Sequence, residues 1–257
     1  MKSVFLFPHQ DDEYGIYHTL LREVNKGRDV RCIYLTDGGI KSKQRNKESL
    51  KVLLKLGLKP EQVLFQGNTL GIKDGKLISN LSLAINWFLP FIKSLGDIDR
   101  IYTPAWEGGH PDHDAIHVLA VVTANYIGIL KKVRQFSLYN AFNIPAPFFR
   151  VMSPLRNNGK VTKIKIPIIK RLKFIKMCLS YPSQLKSWIG LFPFVTYSYL
   201  FSGKQYLQKV SLKRLDNRPH EGRLYYENRG LNNWDDMRIL IKNFLISSKF
   251  ILWKNKS

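Results

Sequence analysis

Two short polar runs hold the residues of this chain best placed to do chemistry. The first is Pro8-His9-Gln10-Asp11-Asp12-Glu13 and the second is His110-Pro111-Asp112-His113. A histidine and two aspartates within four positions of one loop can give a metal ion two ligands and leave a carboxylate free for proton transfer. The second run can give a third ligand and a His–Asp pair behind it. Catalytic zinc sites commonly take three protein ligands and keep one position open, a pattern that His9, Asp12 and His113 fill. The cation would polarise a carbonyl and lower the pKa of a water. Asp11 is then the candidate general base. His110 could face a developing oxyanion and pass a proton to a leaving amine, and Asp112 could hold an imidazole in one tautomer. Each aspartate also has a plainer reading as a helix N-cap or first-turn carboxylate. The joint occurrence of the two runs, each after a strand-like stretch, favours the metal. The ligand set suits Zn2+, one per chain, and admits Fe(II), Co or Mn.

The elements that must position these runs are legible as an alternation. Apolar strand-like stretches at Lys2–Pro8, Val30–Thr36 and Arg100–Pro104 each end in a polar loop, with a weaker one at Val63–Gln66 and a further one at Gln135–Leu138. Helical patterns fall at Tyr14–Lys26, Arg45–Leu56, Leu81–Leu95, Asp114–Leu130 and Trp234–Leu245. Strands alternating with helices predict an α/β, Rossmann-like fold with a mainly parallel sheet and helices on both faces. Ligands in such sheets bind beyond the carboxyl ends of the strands, which is where the polar loops lie. The whole chain, 1–257, is expected to form a single domain whose portion from about residue 131 is basic and less regular.

The sequence has 257 residues, 44% of them hydrophobic, enough for a large core. Cys32 and Cys178 are too few for a disulfide framework and read as buried small hydrophobes of a reducing compartment. The apolar start is too short for a signal peptide, and no stretch reaches the ~20 apolar residues of a bilayer span. A cytoplasmic protein is therefore expected. The net charge is +22, and between Asp114 and Asp216 there are 17 Lys and Arg but no Asp or Glu. That imbalance suggests an anionic partner.

With these residues in view, the sequence resembles the LmbE/PIG-L family of zinc-dependent N-acetylglucosaminyl deacetylases. Both motifs, their order and the early position of the first match. The resemblance implies a Rossmann-like fold and hydrolysis of the amide of N-acetylglucosamine-containing glycoconjugates. By position it makes His9, Asp12 and His113 the metal ligands, Asp11 the general base, His110 the oxyanion-stabilising histidine and Asp112 the residue orienting that histidine. Glu13 takes a helix-start or supporting role. Thr36-Asp37-Gly38-Gly39 with Arg45 and Glu48, and Lys176 with Tyr181-Pro182-Ser183-Gln184, extend the likeness to about residue 185. Gln10 departs from the proline common at that position.

Other residues carry weaker expectations. Asp37 could contact sugar hydroxyls or cap its loop. Arg45 could bind an anionic part of the substrate or pair with Glu48. Trp106 could stack on a sugar face or belong to the core. Glu107-Gly108-Gly109 would let backbone approach the site closely. His117, one turn after His113, could add a ligand but reads better as a buried helix histidine, and His18 and His220 read as ordinary surface or packing residues. Lys160 to Lys176 interleaves cations with apolar residues, and aromatic residues follow from Trp188 to Phe201. This composition fits peripheral contact with an anionic membrane at its cytoplasmic face, or equally a core element with a solvated basic face. Two rival functions remain: an amidase of a small soluble metabolite, and a basic polyanion-binding protein. Nucleic acid is disfavoured, because no nucleic-acid-binding signature is present and charge leaves the His/Asp runs unexplained. No motif specifies an oligomeric state.

Overall fold

Alternate side chains of the first strand set the layering. In β1 (Lys2–Phe7) Val4 and Leu6 enter one apolar cluster while Phe5 and Phe7 enter another, all fully buried. A strand buried on both faces needs helices over each. The computed structural model describes the backbone of residues 1–254 and the side chains of residues 1–248.

The further strands are β2 (Asp29–Tyr34), β3 (Val63–Phe65), β4 (Ile98–Pro104), β5 (Val133–Phe136), β6 (Tyr139–Asn140), β7 (Arg150–Val151), β8 (Val161–Lys165) and β9 (Lys204–Lys209). The helices are α1 (Tyr17–Asn25), α2 (Ser42–Lys55), α3 (Gln66–Leu70), α4 (Leu81–Ser94), α5 (Pro111–Tyr126), α6 (Ile168–Cys178), α7 (Leu185–Tyr197), α8 (Tyr225–Asn228) and α9 (Trp234–Lys254). Seven strands form one sheet in the order β3-β2-β1-β4-β5-β9-β8, and β6 pairs with β7 apart from it. The pairs from β3 to β5 are parallel, and β9 runs antiparallel to β5 and β8. Thus the fold is α/β with a mainly parallel sheet. Phe88 of α4, Leu119 of α5 and Met237 of α9 pack on one face, and Leu20 of α1, Val52 of α2, Phe174 of α6 and Val195 of α7 on the other.

The chain leaves β1 for β2 on one side and returns from β3 to β4 on the other. The carboxyl ends of β1 and β4 therefore flank the point where strand order reverses, the usual ligand crevice of such sheets. Both polar runs emerge there.

The expected strands at the front of the sheet occur within a few residues of their predicted bounds. Three helix starts differ, one of them α2, which opens at Ser42 rather than Arg45. The first helix begins at Tyr17, because Asp12–Gly15 winds as a tighter 3-10 turn. The fifth begins at Pro111 rather than Asp114, since proline suits the first helical position, where no N–H is needed. After residue 131, β9 and β8 join the sheet and α6 and α7 pack around it, beyond what the sequence predicted, while the expected last helix is present as α9. The helix α7 was hidden because it is apolar on several sides and contains Pro193, so it shows neither a clean 3.6 period nor an uninterrupted pattern. Among the described residues no helix is long and apolar enough to cross a membrane.

Candidate metal centre

Pro8 ends β1 and turns the chain into the crevice. Asp11 then adopts φ 114°, a backbone region that costs a non-glycine residue about 1–3 kcal/mol and is concentrated at functional sites. The turn is held by its own motif. Asp12 Oδ2 accepts the His9 backbone N–H at 3.0 Å, and Glu13 Oε2 accepts that of Asp11 at 3.0 Å. On the facing element His110 caps α5, its Nδ1 accepting the Asp112 backbone N–H at 3.2 Å. Pro111 starts the helix, so Asp112 and His113 fall in its buried first turn.

The two runs meet. His9 Nδ1 lies 3.3 Å from Asp12 Oδ2, and His113 Nε2 lies 3.1 Å from Asp12 Oδ1. Ligand atoms of His9, Asp12 and His113 all fall within 4.8 Å of one another, and all three residues are buried. The opposite side of the His9 ring is also engaged: Nε2 is 3.0 Å from Asp112 Oδ2 and 3.2 Å from Asp74 Oδ1. A carboxylate behind a ligating imidazole fixes its orientation and tautomer. His9, Asp74 and His110 form a second group of converging ligand atoms.

These residues fit a divalent cation on charge as well as distance. Asp11, Asp12, Asp74 and Asp112 crowd around His9, and Arg45 is the cation that pairs with Asp11 and Asp74. Buried carboxylates of this density need compensating positive charge. Burial would raise the Asp12 pKa, but the imidazoles of His113 and His9 pull it well below the usual carboxylate range. For His9, burial opposes protonation, yet Asp74, Asp112 and Asp12 raise its pKa well above the ordinary value. The site thus attracts positive charge, as a proton or as a metal ion.

Asp11 behaves differently. Burial pushes its carboxyl up to about 8, against the pull of the Arg45 guanidinium and with the repulsion of Asp12 and Glu13. Trp188 Nε1 donates to Asp11 Oδ2 at 3.0 Å, and Arg45 Nη2 lies 3.6 Å from Oδ1. His110 is pushed down to about 3 by burial and by the neighbouring imidazoles of His9 and His113. It is neutral, and because Nδ1 accepts a backbone N–H, its proton is on Nε2.

The structure sorts the remaining expectations. Asp112 gives its carboxylate to His9 and to the backbone N–H groups of Gly75 and Leu77, at 2.7 and 2.9 Å; its link to His110 runs through its own backbone N–H. Asp37 caps its loop, accepting from Gly39 N at 2.8 Å and Asp74 N at 3.0 Å, and does not line the cleft. Arg45 does line it, but its guanidinium is committed to Asp74, Asp11 and the carbonyls of Gly38 and Gln10. Glu48 pairs with Gln44 and Ser183 rather than with Arg45. Trp106 is fully buried against Trp234, its Nε1 donating to the Asn217 carbonyl, so it is a core residue and presents no face to a ligand. His117 is buried and donates to the Pro104 carbonyl from Nδ1 at 2.9 Å; it belongs to neither ligand group. His18 and His220 are buried packing residues, and both cysteines are buried and free. Gly109 packs its backbone against β6, since a Cβ there would lie 2.1 Å from the Tyr139 carbonyl oxygen.

Two site residues, Asp74 and Trp188, gave no sequence signal. Asp74 sits in Lys73-Asp74-Gly75, which reads as a turn. Trp188 reads as one aromatic among many. Glu107 is buried and accepts from Leu138 N, Tyr139 N and Asn140 Nδ2, tying the loop after β4 to β6. Tyr181 donates to Glu13 Oε1 at 2.7 Å, anchoring the Tyr-Pro-Ser-Gln element to the first motif.

His9, Asp12, Asp74 and His110 of these groups line a cleft of about 400 Å3, with His113 buried behind them, within the range of small-molecule sites. The polar residues His9, Asp11, Asp12, Arg45, Asp74 and His110 line it together with the aromatic and apolar Tyr139, Phe149, Leu191 and Tyr225.

Comparison with known proteins follows this geometry. The family described as PIG-L, GlcNAc-PI de-N-acetylase, matches residues 4–124. No curated protein matches the sequence. Among solved structures, the chain is similar to the zinc-inhibited form of the teicoplanin deacetylase Orf2, with TM-score 0.62 and 13% identity over 82% of this chain and 98% of that one. N,N'-diacetylchitobiose deacetylase from Pyrococcus horikoshii, complexed with its inhibitor, gives TM-score 0.57 and 17% identity over 82% of each chain. A conserved protein from Thermus thermophilus gives 0.56 and 22%, over 82% and 94%. At such identities the likeness shows the fold.

Proposed function

We propose, from the premise that residues 4–124 of this chain belong to the PIG-L (GlcNAc-PI de-N-acetylase) family, that the protein is a metal-dependent amide hydrolase that removes the N-acetyl group from an N-acetylglucosamine-type sugar of a glycoconjugate. One observation carries the reading: His9 and Asp12 from the first motif and His113 from the second, about a hundred residues on, present ligand atoms within 4.8 Å of one another, and His9 and Asp12 line an open cleft with His113 buried behind them. Solved relatives of this fold include a teicoplanin deacetylase and a chitobiose deacetylase, which supports a sugar-borne acetamide as substrate.

Two histidines and one carboxylate suit Zn2+ with an open position; there the cation would polarise the amide carbonyl and acidify a water molecule. Asp11 takes the proton of the attacking water, since its carboxylate lies in the cleft and its raised pKa makes it a competent base near neutrality. His110, neutral with its proton on Nε2, is a donor for the oxyanion as the carbonyl carbon becomes tetrahedral. The proton held by Asp11 is then the one available to the leaving amine, because His110 would become an anion if it gave its own away. Asp112 and Asp74 orient His9, and Arg45 and Trp188 hold Asp11. Tyr139, Phe149 and Tyr225 supply the aromatic wall for sugar faces that Trp106, buried in the core, cannot supply.

The test is acetate release from a panel of N-acetylhexosamine glycoconjugates by metal-loaded protein, with and without a chelator. The reading requires release that the chelator abolishes and that added Zn2+ restores. Metal-loaded protein that deacetylates none of the panel counts against it.

A further inference from the structure

We infer that the outer face of α6 and α7 seats the protein on the surface of an anionic lipid bilayer. The argument begins with a stretch lacking charge. From Ser187 to Gly203 there is no Asp, Glu, Lys or Arg, yet α7 is a surface helix. Its inner side is buried through Trp188, Leu191 and Val195, and Tyr199 continues that side past its end. The opposite side repeats an apolar residue every fourth position, and these are open to solvent: Leu185 is 62% exposed, Ile189 67%, Tyr197 64% and Phe201 72%, with Pro193 between them also exposed. A surface helix should show a polar outer stripe. One that is apolar all round belongs in a core or against lipid.

The patch is wider than one helix. The neighbouring α6 packs against the Ser198–Ser202 turn that follows α7, where Arg171 Nη1 donates to the Leu200 carbonyl at 3.1 Å. It also exposes Ile168, Ile169 and Leu172. Contiguous apolar surface of this kind on a soluble chain marks an interaction site.

Charge identifies the occupant. Exposed Lys163, Lys165, Lys173, Lys176 and Lys204 lie on α6 or on the strands that flank α6 and α7, and the chain has no acidic residue between Asp114 and Asp216 to offset them. Apolar side chains that enter the headgroup region, ringed by cations that meet anionic lipid, are the signature of interfacial binding. A second copy of this chain would set the same lysines against one another. The inner side of α7 contributes Leu191 to the cleft and Trp188 to Asp11. A bilayer on the outer side of that helix would therefore lie beside the mouth of the cleft. This last consequence rests on the cleft being the active site; the seating itself does not.

The experiment sediments the full-length protein with vesicles of phosphatidylcholine alone and of phosphatidylcholine with phosphatidylglycerol. The proposal expects binding to the anionic vesicles that far exceeds binding to the neutral ones and weakens with salt. The Ile189→Glu/Phe201→Glu variant should bind about tenfold less, with thermal unfolding and metal content unchanged because both side chains face outward. A second variant, Lys165→Glu/Lys176→Glu, leaves helix packing alone and should lose the preference for anionic lipid. Wild-type protein that ignores anionic vesicles overturns the proposal, and so does full binding by the Ile189/Phe201 variant. A wild-type dimer that this variant converts to monomer, without vesicle binding, gives the face to a second copy and also overturns it. No turnover enters the assay, so vesicle binding by a protein that releases no acetate would leave this inference standing and remove the hydrolase reading alone.

Discussion

Trp188 donates a hydrogen bond from Nε1 to Asp11 Oδ2 at 3.0 Å, joining residues 177 apart in sequence. In the proposed reaction, where Asp11 is the base, the contact ties α7 to its protonation, because an N–H aimed at a carboxylate favours its ionised form. Asp11 is a base only when ionised. Removing the donor in Trp188→Phe should raise the Asp11 pKa further and move the acid limb of the kcat/KM profile to higher pH, with metal content unchanged. An unmoved limb would mean that the contact is structural only.

Asp11→Asn tests the base itself. Asparagine tolerates positive φ well, so the strained turn should survive, and so should the ligand cluster. Turnover should fall by at least about a hundredfold while bound metal stays at the wild-type level. Loss of metal in this variant would move Asp11 into the ligand set.

His110 lies outside the His9–Asp12–His113 group, so His110→Ala removes a neutral donor from the cleft and leaves that group's three side chains intact. The expected cost is about 100–1,000-fold in kcat at unchanged metal affinity. A drop in metal affinity would instead point to the grouping of His110 with His9 and Asp74.

Asp112→Asn acts through His9. The carboxylate holds His9 Nε2 and two backbone N–H groups of the loop carrying Asp74. Metal affinity should fall about 10–100-fold, and competition with a chelating dye would read it. Affinity equal to wild type would show that Asp74 alone suffices to orient the imidazole.

His117 predicts a pH effect on stability. Burial holds its pKa down at about 4, with the Pro104 carbonyl opposing, so it is neutral in the fold. In the unfolded chain it takes a proton near 6.5, its ordinary value. Its contribution is therefore complete above pH 6.5 and is lost as the pH falls towards 4. The loss is ~3 kcal/mol at most. Buried Glu107 and Asp114, raised to about 8 and 7, bias stability the other way, so the measurement is a difference. Urea unfolding of wild type and His117→Gln at pH 7.5 and 4.5 should show wild type losing about 2–3 kcal/mol more on acidification. Parallel pH dependence in the two proteins would contradict the assignment.

How much could be read in advance depended on whether the signal was local. The strands ending near Pro8 and Pro104 were visible as buried runs, and the two motifs follow within a few residues, so the crevice and the converging His9, Asp12 and His113 were legible together. The partners that tune them were not. Asp74 reaches His9 only because the loop after α3 folds back over α5, and Trp188 reaches Asp11 only because α7 crosses the cleft. Neither path leaves a trace in spacing. For Trp106 the sequence left a sugar-stacking and a core reading open for a related reason: only the chain around Asn217 and the start of α9, which close over it, decide between them. The Lys160–Lys176 stretch became readable only when β8 and α6 showed which of its residues face outward.

The most direct test of the account is X-ray absorption of the purified protein at the edge of its bound metal, together with metal content. Near-equimolar Zn2+ or another divalent transition metal is expected, with two imidazoles and one carboxylate oxygen in its shell. His9→Ala, Asp12→Ala and His113→Ala should each lose it, and Asp11→Asn should retain it. A shell without imidazoles, or metal content indifferent to these ligand substitutions, would contradict the claim that the two loops meet around one cation.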